Sequence, residues 1–193
     1  MLGKFILFLL VLNPKHELNK NPGLLEEVVG YVEEAVETFA LPTHPSRLAH
    51  WIYRESGWNH EAVGTIPNKR GVILHEQGYC QAHGRAKKWC MEAGYNPFER
   101  RGGIMCLGYL LHKGMEECDG DFEAAGRWYA SGSCYAAKKK MNDRKEDWQK
   151  GWQRVVDGNF EGKGARASAW RKKMKLEAQR REKEIETLVR WGG

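Results

Sequence analysis

The chain has 193 residues, room for one domain and an appendage. With 41% hydrophobic residues, 8 Trp, 7 Tyr and 6 Phe it is not a disordered chain, and 22 Gly without period beside 6 Pro exclude collagen-like and low-complexity classes. No run approaches the roughly 20 apolar residues of a spanning helix, and the net charge of +6 sits wholly in residues 162–193, where 10 Lys/Arg stand against 4 Asp/Glu.

The amino terminus, MLGKFILFLLVLNPKHE, has one lysine and then eight apolar residues, Phe5 to Leu12. As a helix these cover about 12 Å, well short of the roughly 30 Å hydrocarbon core of a bilayer. The stretch is similar to the front of a signal peptide, but Asn13-Pro14-Lys15-His16 follows in place of a small-x-small cleavage site. Residues 1–20 are read in two ways, as a packed terminal segment or as an export or anchoring signal.

Asn21-Pro22 has the chemistry of a helix cap and first turn. Leu25, Val28, Val29, Val32, Val36 and Phe39 then recur at helical spacing, with glutamates between them, up to Pro42. Pro45 opens a shorter helix running to about Glu55, with Leu48, Trp51 and Ile52 on one side. From Ser56 to His83 the periodicity disappears, and Gly57, Gly64, Pro67, Gly71 and Gly78 punctuate an irregular stretch in which Val72-Ile73-Leu74 is a short strand candidate.

A helical pattern returns from Arg85 to Ala93 and stops at Gly94. Asn96-Pro97-Phe98-Glu99 reads as a cap, a first-turn proline and an acidic third residue, starting a helix towards Cys118. Gly102 and Gly103 fit such a helix where another backbone packs closely on it. Asp121 begins a short helix ending near Gly132, and Tyr135 to Val156 carries Met141, Trp148, Trp152 and Val155 at helical spacing. After Gly158, Gly162 and Gly164 comes a final charged helix striped by Trp170, Met174, Ile185 and Leu188. The expected architecture is mostly helical, one domain over residues 21–160 with a long irregular central loop, followed by a basic helix over residues 161–193.

The five cysteines, Cys80, Cys90, Cys106, Cys118 and Cys134, form no C-x-x-C pair, so structural zinc is not expected. Small buried hydrophobes are the simplest reading. One or two disulfides remain open for a protein working outside the cytoplasm, and an odd count leaves one thiol over.

Glu55 is the residue that most suggests chemistry. It lies seven residues after Leu48 and three after Ile52, on the buried side of its helix. Burial disfavours a charged carboxylate, and a carboxyl group that keeps its proton near neutral pH can donate it to a leaving oxygen. The surroundings sharpen this. Glu55-Ser56-Gly57-Trp58-Asn59, then Ala62-Val63-Gly64, then Gly78-Tyr79-Cys80-Gln81, and downstream Trp128-Tyr129-Ala130-Ser131-Gly132 stand in an order and spacing that resembles the soluble lytic transglycosylase family, which shares the lysozyme-like fold with goose-type lysozyme. The resemblance covers roughly residues 46–133. It departs from the family at Ala130, where an asparagine is usual, and in a longer interval between Glu55 and Gln81, as if by an insertion around residues 66–74.

The resemblance implies a lysozyme-like domain that cleaves the β-1,4 bond between N-acetylmuramic acid and N-acetylglucosamine in peptidoglycan. Glu55 would act first as acid and then as base, leaving a 1,6-anhydro end and requiring neither metal nor other cofactor. It further implies that Gly78, Gln81 and Tyr129 line the glycan cleft. Glycosidases that hydrolyse place a second carboxylate about 5 to 9.5 Å away. Glu76 is the natural candidate for that, with Glu61 a weaker one, and its participation would make the protein a hydrolytic lysozyme. A non-catalytic glycan-binding or assembly protein on the same scaffold is a further reading. Trp58, Trp89 and Trp128 offer faces for sugar rings but fit a core equally well. His75 and His83 flank the loop and alone make a poor metal site.

Residues 162–193 suggest an anionic partner, either a cell-wall polymer or a phospholipid surface, or else simply a solvated helix face. A nucleic acid is not expected, because residues 1–161 hold 21 basic and 21 acidic side chains. A cell-envelope or extracellular enzyme and a phage lysis or virion protein both fit these features.

Overall fold

The computed structural model describes residues 1–10, 16–64, 76–135 and 138–157. The strand candidate at residues 72–74, the insertion at 66–74 and the basic helix at 161–193 lie outside the described residues, as does the Asn13-Pro14-Lys15 segment. The chain is mostly helical: α1 (Leu2–Leu9), α2 (Glu17–Lys20), α3 (Pro22–Thr38), α4 (Pro45–Ser56), α5 (Gly84–Glu92), α6 (Arg100–Glu117), α7 (Phe122–Ser131) and α8 (Lys138–Val156).

Local chemistry sets most of these boundaries. Asn21 Oδ1 accepts from the Leu24 amide at 3.1 Å and Pro22 occupies the first turn of α3. Val28, Val32 and Ala35 are buried, one stripe of that helix. It ends before Pro42 is reached, because Ala40 turns left-handed at φ 45° and the Leu41 amide reaches back to the Val36 carbonyl. His44 caps α4 through Ser46, and Gly57 closes it at φ 60°. Asp121 Oδ1 accepts from the amides of Glu123 and Ala124 to start α7, and Gly132 ends it.

α6 is the central helix, with Gly102 to Gly108, Leu110 and Leu111 all buried. It begins at Arg100, later than Asn96-Pro97 suggested. Asn96 Oδ1 accepts from the Phe98 amide instead, making a turn before the helix. The two glycines have the expected cause: a Cβ on Gly102 would stand 2.1 Å from the Asn96 carbonyl oxygen, and one on Gly103 3.1 Å from that of Pro97. Further along, a Cβ on Gly114 would meet the Trp128 ring at 2.9 Å, so α7 lies directly on α6.

The apolar amino terminus is part of this core. Phe5 and Ile6 are fully buried in α1, and the Phe5 ring meets Trp152 of α8 edge-on at 5.4 Å. α8 is also held to α4, by Trp148 Nε1 donating to Ser46 Oγ at 3.0 Å. Arg47 of α4 binds Glu123 of α7 at 2.6 Å; burial alone would raise that carboxyl group's pKa, and Arg47 with Lys145 bring it below the ordinary value. Among the described residues no helix is long and apolar enough to cross a membrane.

The cysteines correct the simplest reading of the sequence. Cys90–Cys106 joins α5 to α6, and Cys118–Cys134 joins the end of α6 to the segment after α7, each over a separation of 16 residues. Cross-linking loops of that size stabilises by about 3 kcal/mol each in a chain-entropy account. Cys80 is the remaining free thiol.

Candidate active site

Three stretches far apart in sequence meet at the end of α4. Glu55 stands in the last turn of α4, half-buried, on the same face as Trp51 one turn earlier. Trp51 is buried and meets the ring of Tyr129 of α7 edge-on, centroids 6.0 Å apart. The Tyr129 hydroxyl donates a very short hydrogen bond to the carbonyl of Cys80. Cys80 lies in the turn Gly78–Gln81, and the negative charge of Glu55 acts on its thiol. The turn is thus tied to α7 through Tyr129, and Glu55 lies close enough for its charge to act on the Cys80 thiol.

The turn is held tightly. Gly78 has φ 68°, and a Cβ there would stand 1.9 Å from the Pro97 carbonyl oxygen, so only glycine fits. Its amide donates to the Ala62 carbonyl at 3.0 Å, and the Gly64 amide donates to that of Glu76 at 2.8 Å. Val63 pairs with Gln77 and Gln77 with Ala82, each a single antiparallel pairing. Lys87 of α5 donates to Gln77 Oε1 at 2.8 Å.

Gln81, expected to face substrate, has its amide nitrogen engaged inside the turn. It donates to the Gly78 carbonyl at 2.7 Å and to that of Ala62 at 3.2 Å. Ser56 is likewise engaged, its hydroxyl donating to the Ile52 carbonyl at 3.1 Å. Glu76 packs beside Gln81: a Cβ on Gly64 would stand 2.9 Å from Glu76 Oε2 and 3.2 Å from Gln81 Oε1. Glu76 also lies 3.6 Å from His83. Ala130, where the family pattern has asparagine, is an exposed position of α7.

Comparison with known protein families, characterised proteins and solved structures finds no match.

The tryptophans divide by environment. Trp58 is fully buried against Tyr79 and offers no face to a sugar. Trp89 and Trp128 are half-buried and stacked on each other at 6.0 Å, with Arg85 and Lys113 over the Trp89 ring. His75 lies outside the described residues. Among the described residues no group of three or more His, Cys, Asp or Glu is arranged to hold a metal ion.

A second feature was not legible in the sequence. His16, Glu17, Ser56, Asn59, His60 and Glu61 line a cleft of about 400 Å³ beside the end of α4. Arg100 binds Glu17 at 3.0 Å, and His60 lies 3.4 Å from it. His16 accepts from the Leu18 amide through Nδ1, so its Nε2 carries the proton and donates to the Trp58 carbonyl at 3.1 Å. Burial lowers its pKa, with the charge of Glu17 opposing. Glu61 is highly exposed at the rim.

Proposed function

We propose that the chain is a peptidoglycan-cleaving enzyme of the lytic transglycosylase type on a lysozyme-like fold, with Glu55 as its acid and base. The observation that carries this reading is the hydrogen bond from Tyr129 to the Cys80 carbonyl, with the Tyr129 ring against Trp51. Together they join the turn and α7 at Trp51, which stands one turn before Glu55 in α4. In this reading Glu55 gives its proton to the glycosidic oxygen as the bond to the muramoyl C1 breaks. The resulting carboxylate takes the proton of the muramoyl 6-hydroxyl, whose oxygen closes on C1 to give the 1,6-anhydro end. No water enters the bond-breaking step. Gly78, Gln81 and Tyr129 form the wall behind the reacting sugar, with Gln81 acting through the shape of the turn.

The position of Glu76 favours a second outcome. Its carboxylate, held beside Gln81 and His83, is the candidate to activate a water, and in that case the product is a hydrated reducing end. The two disulfides support an oxidising location, the cell envelope or the exterior, for a bacterial wall enzyme or a phage lysis protein. The basic residues of 162–193 would then hold the enzyme to an anionic wall polymer or lipid surface.

The deciding experiment is digestion of purified peptidoglycan by the wild type and by Glu55→Gln, with product masses. Anhydromuramoyl ends from the wild type alone support the transglycosylase. Hydrated ends that disappear in Glu76→Gln as well as in Glu55→Gln support the lysozyme. Binding without cleavage by a folded wild type overturns both and leaves a glycan-binding scaffold.

A further inference from the structure

The turn that carries Gln81 also carries a thiol pressed against a disulfide. Cys80, Cys90 and Cys106 are all fully buried, and Cys80 Sγ lies 3.2 Å from Cys106 Sγ. One free thiol and one disulfide thus share a closed, fully buried cluster. Exchange proceeds when a thiolate attacks a disulfide sulfur, and here the attacking and attacked atoms are already in contact.

We propose that Cys80 exchanges with the Cys90–Cys106 disulfide, so that the chain exists as two disulfide isomers: one staples α5 to α6, the other staples the Gly78–Gln81 turn to α6. Cys80 Sγ, having released its proton, attacks Cys106 Sγ. The bond between Cys106 and Cys90 breaks, its electron pair leaves on Cys90 Sγ, and that sulfur takes up a proton. One thiol and one disulfide enter and one of each leaves, so no oxidant or reductant is consumed.

The exchange moves the site. Closing the 3.2 Å gap to a bond of about 2.05 Å brings the two sulfurs roughly 1 Å closer and pulls the turn towards α6 by up to that distance. The carbonyl of that residue holds the Tyr129 hydroxyl, and Gln81 follows it in the chain. A displacement of that size at a catalytic wall can cost about 100-fold in rate. The two isomers therefore differ in glycan cleavage, a consequence that rests on the function proposed above. α5 loses its covalent tie in the second isomer and keeps the contact from Lys87 to Gln77.

Exchange is slow at neutral pH. Burial pushes the Cys80 thiol up to about 12, and the facing carboxylate of Glu55 on α4 pushes the same way. α7 contributes the Tyr129 hydroxyl, which donates to the Cys80 carbonyl, and α5 and α6 contribute the disulfide sulfurs themselves. The exchange rate should rise about tenfold per pH unit below that value.

The test is a thiol map of the full chain. Protein folded under oxidising conditions is held at about pH 7 and about pH 9, quenched in acid, denatured, alkylated and digested, with labelled cysteines read by mass. The expected result is label on Cys80 at first, then a growing share on Cys90, about 100-fold faster at the higher pH. Label confined to Cys80 at every time and pH overturns the proposal. In Cys90→Ser the expected result is a Cys80–Cys106 disulfide, and two free thiols in the folded variant also overturn it. If Cys90→Ser does not fold, the wild-type map still decides. The map does not depend on glycan cleavage. Exchange with no cleavage by either isomer sinks the proposed function and leaves the exchange standing, and cleavage with label on Cys80 alone does the reverse.

Discussion

Two glycines with nearly the same backbone conformation separate the cost of conformation from the cost of space. Gly57 has φ 60° and Gly78 has φ 68°. An alanine at either must adopt a left-handed conformation, at roughly 1 kcal/mol. At Gly57 nothing lies within 4 Å of the new Cβ, so Gly57→Ala costs only that. At Gly78 the Cβ would stand 1.9 Å from the Pro97 carbonyl oxygen and 3.0 Å from its carbon. Ordinary contact begins at 3.4 Å, so the turn or the Pro97 backbone must move by about 1.5 Å. Overpacking of this kind costs roughly 1–3 kcal/mol, which brings Gly78→Ala to about 2–4 kcal/mol. For a chain of this size each kcal/mol is worth about 2–4 °C in Tm. Thermal unfolding followed by far-UV circular dichroism should therefore show a loss of about 2–4 °C for Gly57→Ala and about 4–16 °C for Gly78→Ala. Urea midpoints at unchanged slope provide the cross-check. Equal losses in the two variants, within about 0.5 kcal/mol, would refute the close approach of Pro97 to the turn.

Tyr129→Phe keeps the ring against Trp51 but leaves the Cys80 carbonyl without its donor, and should cost about 1–3 kcal/mol in urea unfolding while slowing glycan cleavage. Unchanged stability would remove the link between α7 and the turn. Phe5→Ala opens a cavity beneath Trp152 and should cost about 3–5 kcal/mol, read by the same unfolding, whereas a loss under 1 kcal/mol would detach α1 from the core. His16 binds protons more weakly in the folded chain than its ordinary value of 6.5, so the unfolded chain takes up the proton first as pH falls. Its stabilisation is therefore complete above 6.5 and declines below it, and His16→Gln should flatten that part of the stability profile. A profile identical to the wild type would refute this.

Residues whose roles are set by near neighbours were legible in the sequence, and those set by distant ones were not. The boundaries of α4 and α7 follow from His44-Pro45, Gly57, Asp121 and Gly132, because caps and left-handed glycines act within four residues. The glycines of α6 announced a close backbone, though not that the backbone would be their own chain at Asn96 and Pro97. The start of α6 was misplaced because Asn96 satisfies a turn and a helix cap with the same side-chain oxygen. Disulfide pairing had no local signal, since the two bridges depend on how α5, α6 and the end of α7 pack. The cleft of His16, Glu17 and His60 joins residues more than 40 positions apart, and no spacing rule reaches that far. Glu55 drew attention by its place on the buried side of α4, whereas Tyr129 drew it only through the short motif around it.

The neutral polar residues of those motifs act as scaffold. Ser56, Gln81 and Tyr129 each donate to a backbone carbonyl, Ser56 inside α4, Gln81 inside the turn and to Ala62, and Tyr129 from α7 to the turn, so that turn and α7 share one frame. Such a frame suits a proton-transfer centre, whose groups must be held within about 0.5 Å of their working positions. It also assigns Gln81 a measurable role. If the amide shapes the turn, Gln81→Met, which keeps the length and removes both donors, displaces the wall and weakens contacts made chiefly in the transition state. kcat should then fall about 10- to 100-fold with KM within about twofold. A side chain that binds the glycan directly would give the opposite division, a raised KM with kcat retained. Gln81→Glu separates the cases further, since a carboxylate cannot donate to the Gly78 and Ala62 carbonyls and would be repelled by both. The turn should lose stability in that variant, and an unchanged Tm with weakened glycan binding would return Gln81 to the substrate face.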